Sequence, residues 1–171
     1  MNQLEQFKDV KTFIFDVDGV LTDSSVLVME DGKLLRKMSI RDGYALKRAV
    51  KAGYHVCIIT GGKSEGVKTR LQGLGIKDIY LGASDKLECF EEYISTYELD
   101  PTHILYMGDD VPDYPVMKRV GLPVCPHNAV PEIIEIAQYI SPLKGGEGCA
   151  RDVIEKVLRL NGNWVEEKDF S

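Results

Sequence analysis

Short apolar runs alternate with segments of helical spacing along most of this chain. We identify five of these runs as buried β-strands, at 11–15, 54–59, 78–81, 104–107 and 122–125. The segments between and after them carry apolar residues three or four positions apart, for example Val67, Leu71 and Leu74, which is the spacing of an amphipathic helix. Alternation of strand and helix predicts a parallel sheet with helices on both faces. Ligands of such sheets bind at the carboxyl ends of the strands.

The length and the net charge of the chain favour a single domain that does not bind nucleic acid or an anionic membrane. The 171 residues suit one domain, 1–171. A net charge of −6 and a pI near 5.1 argue against a broad surface for nucleic acid or for an anionic membrane. No apolar run approaches a membrane span, and the first residues lack a signal-peptide pattern. The four cysteines lie far apart without disulfide or zinc spacing, so we expect a protein of the reduced cytoplasm.

A predicted β-hairpin at about 24–41 interrupts the alternation. Extended runs at 25–29 and 34–40 flank a turn that contains Asp31-Gly32, a sequence typical of hairpins. Because a two-stranded ribbon is marginal alone and exposes its edges, we expect it to pack against another subunit. A purely structural hairpin is the alternative. The polar segment at about 161–171 is predicted to be a flexible tail.

The first apolar run ends at a pair of carboxylates, Asp16 and Asp18, followed by Gly19. A buried strand that stops at two acids and a glycine delivers those acids to an open sheet edge. Two carboxylates in one site can divide the work, one as a nucleophile and the other as a proton carrier. A polar turn after a strand is the ordinary alternative.

Further polar groups follow other strand ends or begin helices. Thr60-Gly61 follows the second run, Lys86 stands near a helix start, and Asp109 follows the fourth run. Thr60 offers a hydroxyl, the Gly61 backbone can approach an anion closely, and Lys86 is a compact cation. Asp109 with Asp16 would form a hard-oxygen site suited to Mg²⁺. Each has a plain alternative (a turn, a solvated lysine, a helix cap), but their order along one rim favours chemistry.

Taken together, these motifs resemble those of the haloacid dehalogenase superfamily of phosphohydrolases. The matching residues are Asp16-Val17-Asp18-Gly19-Val20-Leu21-Thr22, Thr60-Gly61, Lys86, and Gly108-Asp109-Asp110 with Asp113. The resemblance implies an α/β fold of the HAD-like type, in which a Rossmann-like parallel sheet carries helices on both faces. A small β-hairpin flap would be added to it here.

The resemblance also implies the catalytic roles. Asp16 would be the nucleophile that takes the phosphoryl group. Asp18 would protonate the leaving alcohol and then activate water, while Thr60 and Lys86 would hold the phosphoryl oxygens. A carboxylate that attacks a phosphate dianion needs nearby positive charge, which Lys86 and a metal ion can supply.

A magnesium site follows from the same resemblance. Mg²⁺ would be bound by Asp16, the backbone carbonyl of Asp18, and Asp109, while Asp110 and Asp113 would order the surrounding loop and Lys86. Crowded carboxylates would raise the pKa of Asp18 and help it to carry a proton. The metal opposes that shift.

No long insert follows the hairpin or the second strand, so the chain resembles the capless subgroup, in which hairpins from four subunits meet. We therefore expect a homotetramer. Within this subgroup the chain is most similar to phosphatases of 3-deoxy-D-manno-octulosonate 8-phosphate. The similarity includes residues 40–44, 108–117 and 145–148. It implies a small phosphorylated sugar acid as substrate.

Two departures from that pattern bear on the substrate. The family often has arginine where this chain has Gly62, and a Gly-Gly-Arg-Gly sequence where Glu147 stands here. Phosphatases of the nine-carbon 2-keto-3-deoxynononate 9-phosphate resemble this chain less, since they carry an acid at position 62 and a lysine at 73. We therefore predict the eight-carbon substrate, with the nine-carbon one as the alternative.

Four residues are candidates for contacting the substrate beyond the phosphate: Gly61, Lys63, Arg70 and Arg41, the last in a neighbour's site. Solvated surface charges are the alternative for the three cations. Two rival classes stay open: a signalling receiver domain, whose acceptor aspartate usually ends the third strand, and a non-catalytic assembly module.

Overall fold

The computed structural model describes residues 2–170, and a parallel β-sheet forms its centre. The strands are β1 (Thr12–Phe15), β2 (Leu27–Val28), β3 (Leu34–Leu35), β4 (His55–Ile59), β5 (Asp78–Tyr80), β6 (Ile104–Met107), β7 (Leu122–Cys125) and β8 (Tyr139–Ile140). The helices are α1 (Gln3–Lys8), α2 (Ile40–Lys51), α3 (Glu65–Gly73), α4 (Lys86–Tyr97), α5 (Tyr114–Met117), α6 (Pro131–Ile136) and α7 (Cys149–Leu160). Short 3₁₀ turns occur at Pro101–His103, Val111–Asp113 and Glu167–Phe170.

The sheet has six strands in the order β5-β4-β1-β6-β7-β8, all parallel. The chain therefore winds outward in both directions from β1, and the predicted fold class is confirmed. Phe15, the last residue of β1, lies opposite Ile58 of β4 and Met107 of β6. Because these neighbouring strands end at nearly the same level, the residues that follow them meet at one edge.

Each face of the sheet is covered by its own apolar cluster. Phe13 and Phe15 of β1 face a cluster built with α1, α2, α3 and α7, whereas Ile14 faces one built with α4, α5 and α6. All four residues of β1 are buried. Burial on both faces explains why the strand sequence is continuously apolar rather than alternating.

The helices begin where the sequence supplies capping side chains. Ser39, Ser64 and Asp85 accept hydrogen bonds from backbone N–H groups in the first turns of α2, α3 and α4. The cap at Ser39 starts α2 at Ile40, so the predicted extended run at 34–40 forms a strand only at Leu34–Leu35. The hairpin ladder has two residue pairs, Leu27 with Leu35 and Val28 with Leu34.

Several short elements had no clear sequence signal. They are α1, α5, α6 and β8, each six residues or fewer, too short for a periodic pattern to emerge. The predicted tail begins with a packed segment, because Trp164 is buried and its carbonyl accepts a hydrogen bond from Arg48. Residue 171 of that tail lies outside the described residues. Within residues 2–170 no helix combines the length and apolar character needed to cross a bilayer.

Candidate active site

The polar residues predicted to share one rim do lie together there. Asp16 directly follows β1, Thr60 directly follows β4, and Asp109 lies two residues beyond β6. Lys86 is the first residue of α4, next to its capping residue Asp85. We refer to these four positions with Asp18 and Asp113 as the rim.

Lys86 joins two buried carboxylates across the rim. Its Nζ lies 2.9 Å from Oδ2 of Asp16 and 2.8 Å from Oδ1 of Asp113. Burial alone would lower the pKa of Lys86, but the charges of Asp16 and Asp113 outweigh it and raise that pKa. Lys86 is therefore a buried cation beside Asp16. The alternative that it is a solvated surface lysine is wrong.

Asp113 accepts hydrogen bonds on both of its carboxylate oxygens and is fully buried. Oδ1 accepts from Lys86 and from the Tyr106 hydroxyl at 2.6 Å, while Oδ2 accepts from the backbone N–H groups of Asp109 and Asp110. These contacts fix the loop after β6 and the direction of the lysine. Asp110 caps the following 3₁₀ turn through the N–H of Val111.

Asp109 has an oxygen that the surrounding residues leave free. Its Oδ1 is buried and has no hydrogen-bond partner among residues 2–170. Burial, followed by the charges of Asp113 and Asp110, raises the pKa of Asp109 to about 7. A buried carboxylate with an unused oxygen is costly unless a cation or a proton meets it.

Carboxylate oxygens of Asp16, Asp109 and Asp113 lie within 4.8 Å of one another. Donors reach both oxygens of Asp113, and Asp16 accepts from the Val17 N–H and contacts Lys86. Oδ1 of Asp109 is therefore the carboxylate oxygen of this cluster that a metal would meet first, with Asp16 beside it. Burial and the charge of Asp113 raise the pKa of Asp16 well above its ordinary value, although Lys86 lowers it. Hard oxygen ligands and excess buried negative charge fit Mg²⁺.

Gly19 makes room for the Asp109 carboxylate. Its φ is +85°, in the left-handed region, and a Cβ at this position would overlap Oδ2 and Cγ of Asp109. Glycine is therefore needed at this position of the Asp-x-Asp-Gly sequence for two reasons. Its backbone has a left-handed φ, and a side chain would overlap the Asp109 carboxylate.

Asp18 has a neighbour that sequence reasoning missed. Arg36, just after β3, donates from Nε to Oδ1 of Asp18 at 2.6 Å and from Nη2 to Oδ2 at 3.1 Å. The prediction that carboxylates crowd Asp18 did not anticipate this cation. The sequence placed a hairpin beside the acids but could not tell which of its cations would reach them.

The remaining predicted contacts fall into two groups. Gly61 and Lys63 line a cleft of about 730 Å³ between the hairpin and the start of α3, whereas Arg41 lines a separate depression with Glu147 and Arg151. Arg70 lies beside Gly43 of α2. Within one chain, then, neither Arg41 nor Arg70 lines the cleft, and their contact with substrate stays a prediction.

Comparison with known proteins identifies the family of this chain. A family model for haloacid dehalogenase-like hydrolases matches residues 78–151. The 3-deoxy-D-manno-octulosonate 8-phosphate phosphatase KdsC of Escherichia coli K12 is 37% identical over 164 residues, which cover 96% of this chain and 87% of that protein. The chain belongs to the KdsC family of haloacid dehalogenase-like hydrolases.

Solved structures of KdsC-type proteins share the fold throughout. The Yersinia pestis phosphatase superposes with a TM-score of 0.91 at 34% identity, over 94% of this chain and 87% of that one. The Moraxella catarrhalis phosphatase, solved with magnesium, phosphate and KDO, gives 0.90 at 30% identity, over 94% and 92% of the two chains. The family resemblance predicted from the sequence is confirmed, and family membership favours an enzyme over both rival classes.

Proposed function

We propose that this chain is a Mg²⁺-dependent phosphatase that hydrolyses 3-deoxy-D-manno-octulosonate 8-phosphate to 3-deoxy-D-manno-octulosonate (KDO) and inorganic phosphate. The observation that carries the proposal is the rim itself, where Asp16 contacts the buried Lys86 and has a carboxylate oxygen within 4.8 Å of one of Asp109. Within residues 2–170, Oδ1 of Asp109 has no hydrogen-bond partner. The Moraxella relative, solved with magnesium, phosphate and KDO, supports the choice of metal and substrate.

In the first half of the reaction, a carboxylate oxygen of Asp16 attacks phosphorus and the bond from phosphorus to the sugar oxygen breaks. The product is an aspartyl phosphate on Asp16, and Asp18 gives a proton to the departing sugar oxygen. Lys86, the Thr60 hydroxyl and the backbone N–H of Gly61 hold the phosphoryl oxygens. Asp16, the backbone carbonyl of Asp18 and Asp109 would hold Mg²⁺, whose charge would offset that of the phosphate dianion.

In the second half, a water molecule attacks the phosphorus of the aspartyl phosphate. Asp18 accepts a proton from that water, inorganic phosphate leaves, and the Asp16 carboxylate is regenerated. Asp110 and Asp113 act through the loop after β6, since Asp113 fixes both the loop and Lys86.

The proposal extends to assembly and location. Leu27, Val28, Leu34 and Leu35 of the hairpin are 44–65% exposed, and an apolar ribbon of this kind favours contact with other copies of the chain. We therefore propose a homotetramer in which hairpins meet. All four cysteines are free thiols, which agrees with a reduced cytoplasm, and residues 1–171 act as a single HAD-like domain.

The test is a turnover assay of purified protein with Mg²⁺ against a panel of phosphorylated sugars and sugar acids. We expect the highest kcat/KM for the eight-carbon sugar acid phosphate and loss of about 10⁴-fold or more in Asp16→Asn. Asp9→Asn, at an exposed position beyond α1, is the matched control. Preference for the nine-carbon substrate would replace the proposed substrate, and near-normal phosphate release by Asp16→Asn would remove Asp16 as the nucleophile.

A further inference from the structure

Arg36 is the one hairpin cation whose side chain is enclosed at the rim in the described part of the chain. Its side chain is only 8% exposed, whereas that of its partner Asp18 is 38% exposed. The guanidinium meets the carboxylate with two nitrogens, Nε and Nη2. This fork is the geometry by which arginine binds carboxylates in general.

The space for this guanidinium depends on Gly62. A Cβ at position 62 would lie 3.0 Å from Nη2 of Arg36 and 3.4 Å from Oδ2 of Asp18. A longer side chain at position 62 would therefore compete with Arg36 for the same volume. With glycine at position 62, the guanidinium of Arg36 occupies the space beside that backbone.

The lining of the cleft beside Arg36 holds more cations than acids, although the whole chain carries −6. It includes Lys33, Arg36 and Lys63 with one acid, Glu65, while Lys33 and Arg36 pair with Asp31 and Asp18 outside the lining. Lys63 has no carboxylate within 4 Å among residues 2–170. Local positive charge of this kind concentrates an anionic ligand.

We propose that Arg36 binds the carboxylate of the sugar acid, which takes the place of the Asp18 carboxylate on the guanidinium. This inference rests on the proposed function and names the residue that distinguishes a sugar acid phosphate from a neutral sugar phosphate. The substrate carboxylate offers the same two oxygens that Asp18 offers in the structure. Asp18 is the more exposed partner, so water can solvate it after release, whereas the enclosed Arg36 needs an anion.

The exchange gives selectivity. A neutral sugar phosphate has no group to replace Asp18, so it gains nothing from Arg36. A sugar acid gains a charge-assisted, two-point hydrogen bond in a partly enclosed site. The specificity residue for the carboxylate would then lie on the hairpin and not on the sheet edge.

The test compares two substrates in one set of variants. We expect Arg36→Met to lower kcat/KM for 3-deoxy-D-manno-octulosonate 8-phosphate about 10- to 100-fold, mainly through KM, as for loss of one charge-assisted pair. Turnover of ribose 5-phosphate, which lacks a carboxylate, should fall by a clearly smaller factor, because only the contact of Arg36 with Asp18 is lost for that substrate. Inhibition by free KDO should weaken in parallel, which reports binding without turnover. Lys37→Met, an exposed hairpin cation outside the cleft lining, should change neither substrate.

Relocating the charge sharpens the test. The backbone at Gly62 is not left-handed, so an arginine fits its conformation. The double variant Arg36→Met/Gly62→Arg should recover at least about fivefold of the lost preference for the sugar acid, since its guanidinium would enter the vacated volume. A double variant that unfolds at the wild-type temperature and recovers none of this preference would overturn the proposal.

The two proposals fail in different ways. If Arg36→Met lowered kcat/KM equally for both substrates, Arg36 would act only through its contact with Asp18. The inference would then be wrong, while the proposed phosphatase function would be unaffected. If the wild-type protein released phosphate from no sugar acid phosphate, the proposed function itself would fail.

Discussion

The rim and the hairpin lie side by side but are held in place by different means. At the rim, Asp16 is 5% exposed and Asp113 fully buried, and both contact Lys86. On the hairpin, Leu27 and Val28 are 64% and 65% exposed, and the ladder has only two residue pairs. The core sheet sets the geometry of the rim, whereas the apolar residues of the hairpin ladder stay largely exposed within one chain.

This difference separates two tasks. Phosphoryl transfer needs charges that stay fixed while bonds change, and these belong on the rigid sheet edge. Binding of the rest of the substrate tolerates small movements of the residues that contact it. In our proposal, Arg36 of the hairpin makes that contact. Changes at the rim should therefore affect chemistry and stability together, while changes on the hairpin should affect selectivity or assembly.

Lys86→Met should give the largest combined effect. This variant leaves the buried carboxylates of Asp16 and Asp113 without their shared cation. We therefore expect kcat to fall about 10³-fold and the free energy of unfolding to fall by about 3 kcal/mol at pH 8. Without Lys86, burial raises the pKa of Asp16 further above its unfolded value. The folded variant then takes up protons that the unfolded chain does not, so its deficit should shrink as pH falls to 5.

Urea unfolding at pH 8 and pH 5, with kcat at pH 8, measures this effect. Lys47→Met, on the exposed side of α2, is the control and should change stability by less than about 0.5 kcal/mol. A Lys86 variant with the same deficit at both pH values would contradict the charge argument.

The sequence predicted the rim because topology alone brings it together. Asp16, Thr60 and Asp109 each follow a strand that the sequence predicts from a clear apolar run, and Lys86 starts a helix with a clear apolar spacing. Parallel strands then place all four at one edge. Nothing in the pattern required knowledge of side-chain conformation.

Arg36 could not be predicted in this way. Hairpin residues have neither a helical period nor a buried strand to set their direction, and Lys33, Arg36 and Lys37 looked equivalent. What selects Arg36 is the absence of a side chain at Gly62, a contact between residues 26 positions apart. The positions of Arg41 and Arg70 depend in the same way on tertiary packing.

Substitution of one glycine in each region tests how backbone strain and side-chain space contribute to stability. Gly19 at the rim and Gly32 in the hairpin turn both have left-handed φ, +85° and +88°, but only Gly19 has atoms within 4 Å of a new Cβ. Gly32→Ala should cost about 1–2 kcal/mol from backbone strain. Gly19→Ala should cost about 3 kcal/mol or more, because its Cβ also displaces Asp109.

Thermal and urea unfolding of both variants, together with turnover, tests the comparison. Gly32→Ala should keep near-normal activity, whereas Gly19→Ala should lose most of it. Equal costs in the two variants would show that the Asp109 carboxylate yields freely and that the rim is less rigid than its packing implies.

Magnesium should stabilise the folded protein, and more so at high pH. The pKa of Asp109 is raised to about 7, so below that pH a proton must leave before the metal binds. In the metal-free protein, this raised pKa makes stability fall as pH increases from about 4 to 7. At about 100 times Kd, Mg²⁺ should add about 2.7 kcal/mol, or roughly 5–10 °C in Tm, at pH 8.

The increase in Tm on adding Mg²⁺ should be clearly smaller at pH 5.5. Differential scanning fluorimetry with and without Mg²⁺ at the two pH values measures it. Asp109→Asn should lose the increase at both, while Asp100→Asn, an exposed position, should keep it. An undiminished increase in Asp109→Asn would place the metal elsewhere.

The smallest effect on chemistry is expected for the exposed apolar residues of the hairpin. Leu27 and Leu35 face each other across the hairpin ladder and are 64% and 47% exposed. Leu27→Ser/Leu35→Ser should dissociate the proposed tetramer at micromolar concentration, as measured by sedimentation velocity, because the proposed contact loses its apolar area. Turnover of p-nitrophenyl phosphate should change far less than in the rim variants, since neither leucine belongs to the rim and only Leu35 lines the cleft beside it. Leu143→Ser/Leu160→Ser, at exposed sites outside the hairpin, is the matched control. A wild-type protein that sediments as a monomer would contradict the assembly, and an intact tetramer in the hairpin variant would assign the interface to another surface.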